Sequence, residues 1–421
     1  MKPNGNLAEG PEYAALAAID WADRKHFFQI GQADGKQVKS GKIDNTPEAI
    51  EEWVVGLEKQ YEGRPIAVAI EQRRGAVVTM LAKYSILHIY PIHPLSLAKY
   101  RETWYPSHSK SDLGDTKLLW EMLAKHPERL DCLKPQEEPI RLLQGLTENR
   151  RELVDQKTAV SNRLRDGLKT CFPQILQWHK DLSSELVRET LLKWQDLETM
   201  KQAKPAKLSA FYRQHGYNEQ EIQTRLEQIQ QAVVSTKDQA ILGAAQPMII
   251  VWVRQIQLLL QTVEAIEEKI ETLAKAQKDW AIYDSLPGVG AALGPRLMVA
   301  MGTDRDRFQN AGEVQNFAGI APVTKASGNS KLVSMRRACP QFTRQTFHEW
   351  AACSIPYSGW AKAYYDDAIQ RGKKHHTIVR AIAFKWMRIL FRCWKDGKPY
   401  DEAAYLARLA KHGSKYAVKI L

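Results

Sequence analysis

The apolar positions of this chain change period along its length. From residue 13 to 115, stretches of strand length alternate with helical ones. Ala14 to Ile30 reads as an apolar strand containing Asp20, and a turn at Gly35 leads to a second strand through Val38. Thr46 is placed to cap a helix running to Tyr61, with Pro47 at its first position and Glu48 and Glu51 in its first turn, the residue types that a helix N-terminus favours. Ile66 to Ile70 is a short buried strand ending at Glu71. A helix over Gly75–Tyr84 follows, then a strand over Ile86–Ile92 closed by Pro91 and Pro94, and Asp112 opens a helix to about Lys125. Such alternation predicts a βαβ scaffold.

Beyond residue 130 the period is helical. Glu138 to Phe172 holds only two glycines, and Met248 to Ser285 holds neither glycine nor proline. In the second stretch Ile249, Trp252, Ile256, Leu259, Val263, Ile266, Ile270 and Leu273 recur at spacings of 3 and 4, the seam of a coiled coil. It is equally open to packing within the chain, to self-association and to a role as an arm. Asp181 to Tyr217 is a polar insert without a readable period. The fold class is therefore α/β plus α, in three regions: an α/β domain over 1–130, a helical, coiled-coil region with the insert over 131–280, and a mainly helical C-terminal domain over 281–421.

Composition narrows the class. With 421 residues, 44% hydrophobic and 26% charged, the chain has the balance of a globular protein. Met1 to Gly10 lacks the apolar stretch of a signal peptide, and the longest apolar run, Met248 to Val253, is too short to span a bilayer. A cytoplasmic protein without a membrane partner is expected. Its five scattered cysteines read as reduced, buried thiols. The net charge of +12 is segregated: residues 331–421 carry eighteen Lys and Arg against six Asp and Glu, which leaves the first 330 residues neutral. A basic region on a neutral body is the electrostatic footprint of a nucleic-acid partner.

Two motifs and four carboxylates carry candidate chemistry. In Leu286-Pro287-Gly288-Val289-Gly290 two glycines flank a valine, so a tight turn with positive φ can open a helix at Gly290 whose N-terminus faces an anion. This helix-hairpin-helix pattern suits backbone gripping through Gly288 and Gly290; a plain helix connector explains the same residues. Downstream, Phe317-Ala318-Gly319-Ile320-Ala321-Pro322 precedes Ala326-Ser327-Gly328-Asn329-Ser330, a serine–glycine loop with a hydroxyl able to attack phosphorus. Asp20 within its strand, Glu71 at a strand end, and Asp112 and Asp115 on one face of a helix start would, if convergent, repel by about 4 kcal/mol per close pair at an effective dielectric near 20. A divalent cation relieves that repulsion, and all-oxygen ligation favours Mg²⁺. Three also have a structural explanation, Asp112 as an N-cap, Asp115 as its dipole partner and Glu71 paired with Arg73 or Arg74, and Asp23, beside Arg24 and Lys25, competes with Asp20 for the strand position.

In this order, the carboxylates, the segment Ser109-Lys110-Ser111-Asp112-Leu113-Gly114-Asp115, the 286–290 turn, Ala318 to Pro322, Ser327-Gly328 and Asp396-Gly397-Lys398-Pro399-Tyr400 resemble the DEDD transposases of the insertion sequence 110 family, relatives of the pilin-gene invertases. The likeness runs from Ala15 to about Tyr400. It implies an N-terminal resolvase-like (ribonuclease-H-like) metal domain, a coiled coil, and a C-terminal transposase domain with a serine nucleophile matching Ser327. It further implies a recombinase guided by a structured RNA that pairs with donor and target DNA. Assembly from dimer to tetramer is implied, with a serine of one subunit completing the acidic site of another, in a bacterial cytoplasm and at the nucleoid when active. Two departures stand out: Ala326 occupies the place of the first of two consecutive serines, and Lys331 to Cys339 lacks the family's glycine punctuation, which keeps Ser330 as a competing nucleophile. No histidine adjoins Ser327 in sequence, so activation is assigned to the acidic site and its Mg²⁺.

Arg150, Arg151, Lys157, Arg163, Arg165 and Lys169 lie along the helix ending near Phe172 and are candidate RNA contacts; Glu148, Glu152, Asp155 and Asp166 offer them ion pairs instead. Arg371, Lys373, Lys374, Arg380, Lys385, Arg388 and Arg392 form a second basic run beside Trp386 and Trp394, a candidate backbone-binding surface. Two other readings compete with the recombinase: a resolvase-like, metal-dependent junction nuclease without covalent intermediate, and a non-catalytic nucleic-acid scaffold.

Overall fold

Ala15-Leu16-Ala17-Ala18-Ile19 is an unbroken apolar run, all buried, so this strand takes the middle of a sheet covered on both faces. The computed structural model describes residues 12–32, 37–104, 112–328 and 330–417 and divides into two compact units, Met1–Pro135 and Gln136–Leu421. In the first, β1 (Ala15–Asp20), β2 (Lys25–Gly31), β3 (Lys39–Asp44), β4 (Ile66–Ile70) and β5 (Leu87–Pro91) form one sheet in the order β3-β2-β1-β4-β5. The first three strands are an antiparallel meander, and β1, β4 and β5 run parallel. Helices α1 (Pro47–Gln60) and α2 (Ala76–Leu81) pack on the face of Ala15, Ala17, Ile19, Val68 and Ile70; α3 (Pro94–Trp104) and α4 (Asp112–Lys125) pack on the face of Leu16, Ala18, Ala67 and Ala69. The Thr46 cap is present, its side chain accepting from Ala49 N at 3.2 Å.

One strand expectation is corrected. Ala14 to Ile30 is a hairpin of two strands. The polar Asp20–Arg24 run turns the chain, and His26 Nδ1 accepts from Ala22 N at 3.1 Å to hold the turn. Asp20 therefore ends β1 rather than standing within it. Gly35 lies outside the described residues.

The second unit is helical apart from one hairpin. Two long helices, α5 (Glu138–Cys171) and α11 (Gln239–Lys275), flank five short ones: α6 (Gln174–Trp178), α7 (Glu185–Lys193), α8 (Leu197–Lys201), α9 (Pro205–Gln214) and α10 (Glu219–Gln231). The insert without a readable period is thus helical, built around Val187, Leu191, Trp194, Leu208, Phe211 and Tyr212. α5 and α11 are antiparallel: Arg150 bonds Glu267 while Gly167 lies against the Trp252 ring. The heptad seam of α11 is therefore filled within the chain, with Ile249, Ile256 and Ile270 buried. α11 is long and apolar enough to cross a membrane by length and composition, which the length of unbroken apolar runs did not reveal; its buried seam assigns it to this helix pair.

The C-terminal part comprises α12 (Trp280–Asp284), α13 (Gly290–Met301), α14 (Ala311–Phe317), the hairpin β6 (Val323–Ser327) and β7 (Ser330–Ser334), α15 (Gln341–Ser354), α16 (Gly359–Gln370), α17 (His375–Asp396) and α18 (Glu402–Lys411). Trp350, Trp360, Trp386 and Trp394 are fully buried at its centre. Each of three indole N–H groups has an acceptor: Trp350 on Pro287 O, Trp386 on Ser354 Oγ, and Trp394 on Gly302 O. The tryptophans beside the basic run are core. All five cysteines are free; Cys171 is buried as expected, but Cys353 is exposed.

Candidate acidic site and serine hairpin

Asp20 and Glu71 are brought together by strand register. Ile19 pairs with Ile70 across parallel β1 and β4, so the next residue of each chain is a carboxylate at the same end of the sheet. Alternation carries both to the face of Leu16, Ala18, Ala67 and Ala69, which α4 covers. Both are half-buried. α4 is anchored there by Trp120, whose indole N–H donates to Leu16 O at 2.9 Å. Asp115, on the same helix, is only 2% exposed and is held by Arg101, with Nε 2.9 Å from Oδ1. Asp112 begins α4, and its side chain lies outside the described residues, as does the Ser109–Ser111 part of its motif. Among the described residues no group of three or more His, Cys, Asp or Glu side chains is gathered closely enough to hold a metal ion. The donors suit Mg²⁺ in kind, since all are carboxylate oxygens, while Arg101 already occupies Oδ1 of Asp115.

The 286–290 turn forms as expected. Gly288 and Gly290 have φ of 71° and 56°, and α13 starts at Gly290. The two glycines serve different ends. A Cβ on Gly288 would lie 2.3 Å from Cys353 O, so that position is filled by the end of α15. Gly290 is exposed with nothing within 4 Å of its Cβ position.

The serine loop is a correction: Ser327 is the last residue of β6 and Ser330 the first of β7, and the two are register partners across a two-residue turn. Positive φ at Gly328, 54°, lets the turn match the strands' twist. The local sequence hid this because neither strand buries a face: all five residues of β7 are exposed, and so are four of β6. Directly paired residues point to one side, so both candidate nucleophiles share a face with Lys325 and Leu332. Lys331, opposite Ala326, adds a second cation at the tip.

Comparison with known proteins bears on both units. Residues 17–173 match the DEDD IS110 family model, described as a transposase, and residues 281–366 match that of the transposase IS116/IS110/IS902 family. The mini-circle protein of IS117 from Streptomyces coelicolor, named for transposase function, is 26% identical over 406 residues, covering 94% of this chain and 97% of its own. The 42 kDa protein of insertion element IS900 from Mycobacterium paratuberculosis is 22% identical over 402 residues, 93% of this chain and 98% of its own. The 43.6 kDa protein of insertion element IS110 from Streptomyces coelicolor is 25% identical over 303 residues, 70% of this chain and 73% of its own. The chain belongs to the IS110/IS116/IS902 transposase family.

The basic candidates of this transposase divide by partner. Arg150 donates to Glu267 at 2.6 Å, and Arg151 reaches Asp155 at 3.1 Å and Glu349 at 3.3 Å; these two join helices within the unit. Glu349 also receives Arg296 at 2.6 Å and Gln345 at 2.7 Å. Arg163 and Arg165 are exposed on α5. Lys373 and Lys374 are exposed at the turn before α17, and Arg380 lies one turn into that helix, with Nη2 3.7 Å from Met335 Sδ just beyond β7. Three histidines at this end escaped the sequence reading. His375 and His376 adjoin Lys374, and His348 of α15 meets His376 at a ring separation of 5.6 Å. The His-His pair after two lysines was the available signal; His348, distant in sequence, gave none.

Proposed function

We propose that this transposase cuts and rejoins DNA through a phosphoserine intermediate formed by Ser327. The observation that carries the reading is the exposed tip of the β6–β7 hairpin, where the Ser327 hydroxyl shares a face with Lys325 in a chain of transposase family. The Ser327 Oγ–phosphorus bond would form as the bond from phosphorus to the departing strand's oxygen breaks; the hydroxyl proton passes to a base, and the leaving oxygen takes up a proton. The ester energy stays in the phosphoserine, so a second strand's hydroxyl can reverse the step without ATP. Lys325, on the face of Ser327, would stabilise the charge on the nonbridging oxygens.

Asp20 and Glu71, with Asp112 and Asp115, would hold Mg²⁺, which when bound neutralises phosphate charge and lowers the pKa of a bound oxygen. Arg101 would keep Asp115 oriented until the cation arrives. The half-buried setting of Asp20 and Glu71 limits the water competing for their oxygens. The fold of this unit is proposed to be resolvase-like and the α12–α13 turn to be a helix-hairpin-helix, with the Gly290 end of α13 toward a phosphate. Exposed Arg163 and Arg165 suit a structured guide RNA, and Lys373, Lys374 and Arg380 suit DNA. Self-association has its own support: Ile241, Ala244, Met248, Val251 and Leu258 are exposed along α11 at heptad positions distinct from the filled seam, a stripe fit for a second copy of the same helix. Activity on DNA places the protein in the bacterial cytoplasm, at the nucleoid when active.

The test is denaturing gel mobility of the protein with guide RNA, labelled donor and target DNA, and Mg²⁺. An adduct is expected, lost in Ser327→Ala and retained in Ser330→Ala. Asp20→Asn and Glu71→Gln should lower its formation by about 100-fold or more. If Ser327→Ala and Asp20→Asn chains mixed together regain adduct formation, serine and carboxylates act from different subunits. Strand cleavage without any adduct in the unaltered protein would replace this reading with a hydrolytic junction nuclease, and an adduct lost only in Ser330→Ala would move the nucleophile by three residues.

A further inference from the structure

Beside the base of the serine hairpin lies a cluster of three imidazoles and a guanidinium. α15 brings His348, and the first turn of α17 brings His375 and His376. The ring centroids of His348 and His376 are 5.6 Å apart, and those of His375 and His376 are 5.1 Å apart. Tyr365 of α16 bonds His375 Nδ1 at 2.9 Å and sets that ring's orientation. Arg380 follows His376 by one turn; its contact with Met335 Sδ is a weak one that leaves most of a five-donor fork to be used.

We propose that His348 and His376, with Arg380, form a docking site for one phosphodiester of the nucleic-acid backbone, and that filling it draws a proton onto the imidazole pair. The inference rests on the DNA-handling reading above and adds to it a site and a proton.

The neighbouring charges support this. Burial holds the His348 imidazole below its ordinary value, and the charges of His376, Arg380 and His375 push the same way against a hydrogen bond to the His376 backbone that pushes it up. On α15, the adjacent Glu349 is engaged by Arg296 of α13, by Arg151 and by Gln345, and Arg344 bonds Arg336 O. On α14, Glu313 caps its own helix against Gln309 and Asn310. Asp367 of α16 is taken by Arg371, Lys415 and Tyr416. Lys373 and Lys374 complete the surroundings from the turn. The nearby carboxylates thus have other partners, and two imidazoles at this spacing repel once both are charged. A phosphodiester is a permanent anion, and it would supply the missing counter-charge. The N-terminal amides of α17, a helix of 22 residues, add partial positive charge at the same end.

Binding of full-length protein to a labelled DNA duplex, followed by anisotropy from about pH 5.5 to 8.5 at fixed ionic strength, brackets the histidine range. Affinity should rise as pH falls, by up to about tenfold per pH unit for one linked proton. The rise begins below the value of the bound histidine and levels off below that of the free one, which lies under 6.5. His348→Gln and His376→Gln should each flatten this dependence to within about twofold, while retaining the dependence on salt. Arg380→Gln should reduce the log–log salt slope by about 0.9. His376 is exposed, so its substitution tests the site even where His348→Gln disturbs α15; thermal melts identify that case. Salt-dependent binding with no pH dependence, or with the same dependence in His376→Gln, overturns the proton-linked site and leaves the DNA reading standing. Failure to bind DNA at any pH overturns both. Inorganic phosphate that shifts the imidazole NMR signals without competing with DNA would show a free-anion site off the nucleic-acid path, and would also overturn the proposal.

Discussion

The C-terminal part of the chain contains two glycine-marked turns that look alike in sequence and are used in opposite ways. Gly288 and Gly328 both adopt positive φ, 71° and 54°. At Gly288 the space a side chain needs is occupied by the backbone of Cys353, neighbouring Leu286 and Val289 are buried, and the Trp350 indole donates to Pro287 O at 3.1 Å. At Gly328 nothing lies within 4 Å, and Leu332 and Val333 stand 61% and 56% exposed on the adjoining strand. The first turn is clamped into the core and ties α13 to α15. Among the described residues the second turn meets open space, and its strands bury no face. A backbone conformation that glycine favours marks a turn; the packing around it separates scaffold from working surface.

Substitutions can break this contrast. Gly288→Ala carries the largest expected effect. The left-handed backbone costs about 1–2 kcal/mol for an alanine, and forcing the Cys353 carbonyl aside adds about 1–3 kcal/mol, so a thermal melt should show a loss of roughly 2–5 kcal/mol. Asp115→Ala extends the comparison to the first unit, where a buried charge plays the clamped part; leaving Arg101 unpaired should cost about 2 kcal/mol, less than for a fully buried pair because Arg101 retains some exposure. Gly328→Ala should cost about 1 kcal/mol, confined to the hairpin, and would show as reduced adduct formation with an almost unchanged melt. A loss as large as that of Gly288→Ala would mean that the hairpin is packed in solution. Smallest of all, Ser327→Ala should change stability by less than about 0.5 kcal/mol, which any shift of several degrees in the melt would contradict.

Much of the architecture was legible in local pattern. Thr46-Pro47 marks its helix cap, the span of α5 follows from its composition, and Ile66–Ile70 is the expected buried strand. The ends of strands were harder: β1 and β2 merged into one apolar run because the turn between them is short and Lys25 to Gly31 returns at once to apolar residues. In sequence the serine hairpin resembles a loop, because exposed strands carry no alternation of buried and exposed residues. For the candidate site, the sequence put Glu71 at a strand end and Asp20 within a strand; the structure ends β1 at Asp20, and the Ile19–Ile70 register sets both carboxylates at the same end of the sheet.

By itself the sequence determined what depends on residues a few positions apart: helix caps, turn glycines, the heptad seam of α11, the segregated basic charge, and the order of motifs that carries the family resemblance. Tertiary structure decided which groups meet across long separations. It filled the α11 seam with α5, gave Arg150 to Glu267 and Arg151 to Glu349, closed Gly288 against Cys353, paired Ser327 with Ser330 on one face, and set His348 beside His376. The physical reason is that periodicity reports which face of an element is apolar, whereas a charge, a hydroxyl or an imidazole takes its role from whatever the packed chain brings within a few ångströms of it.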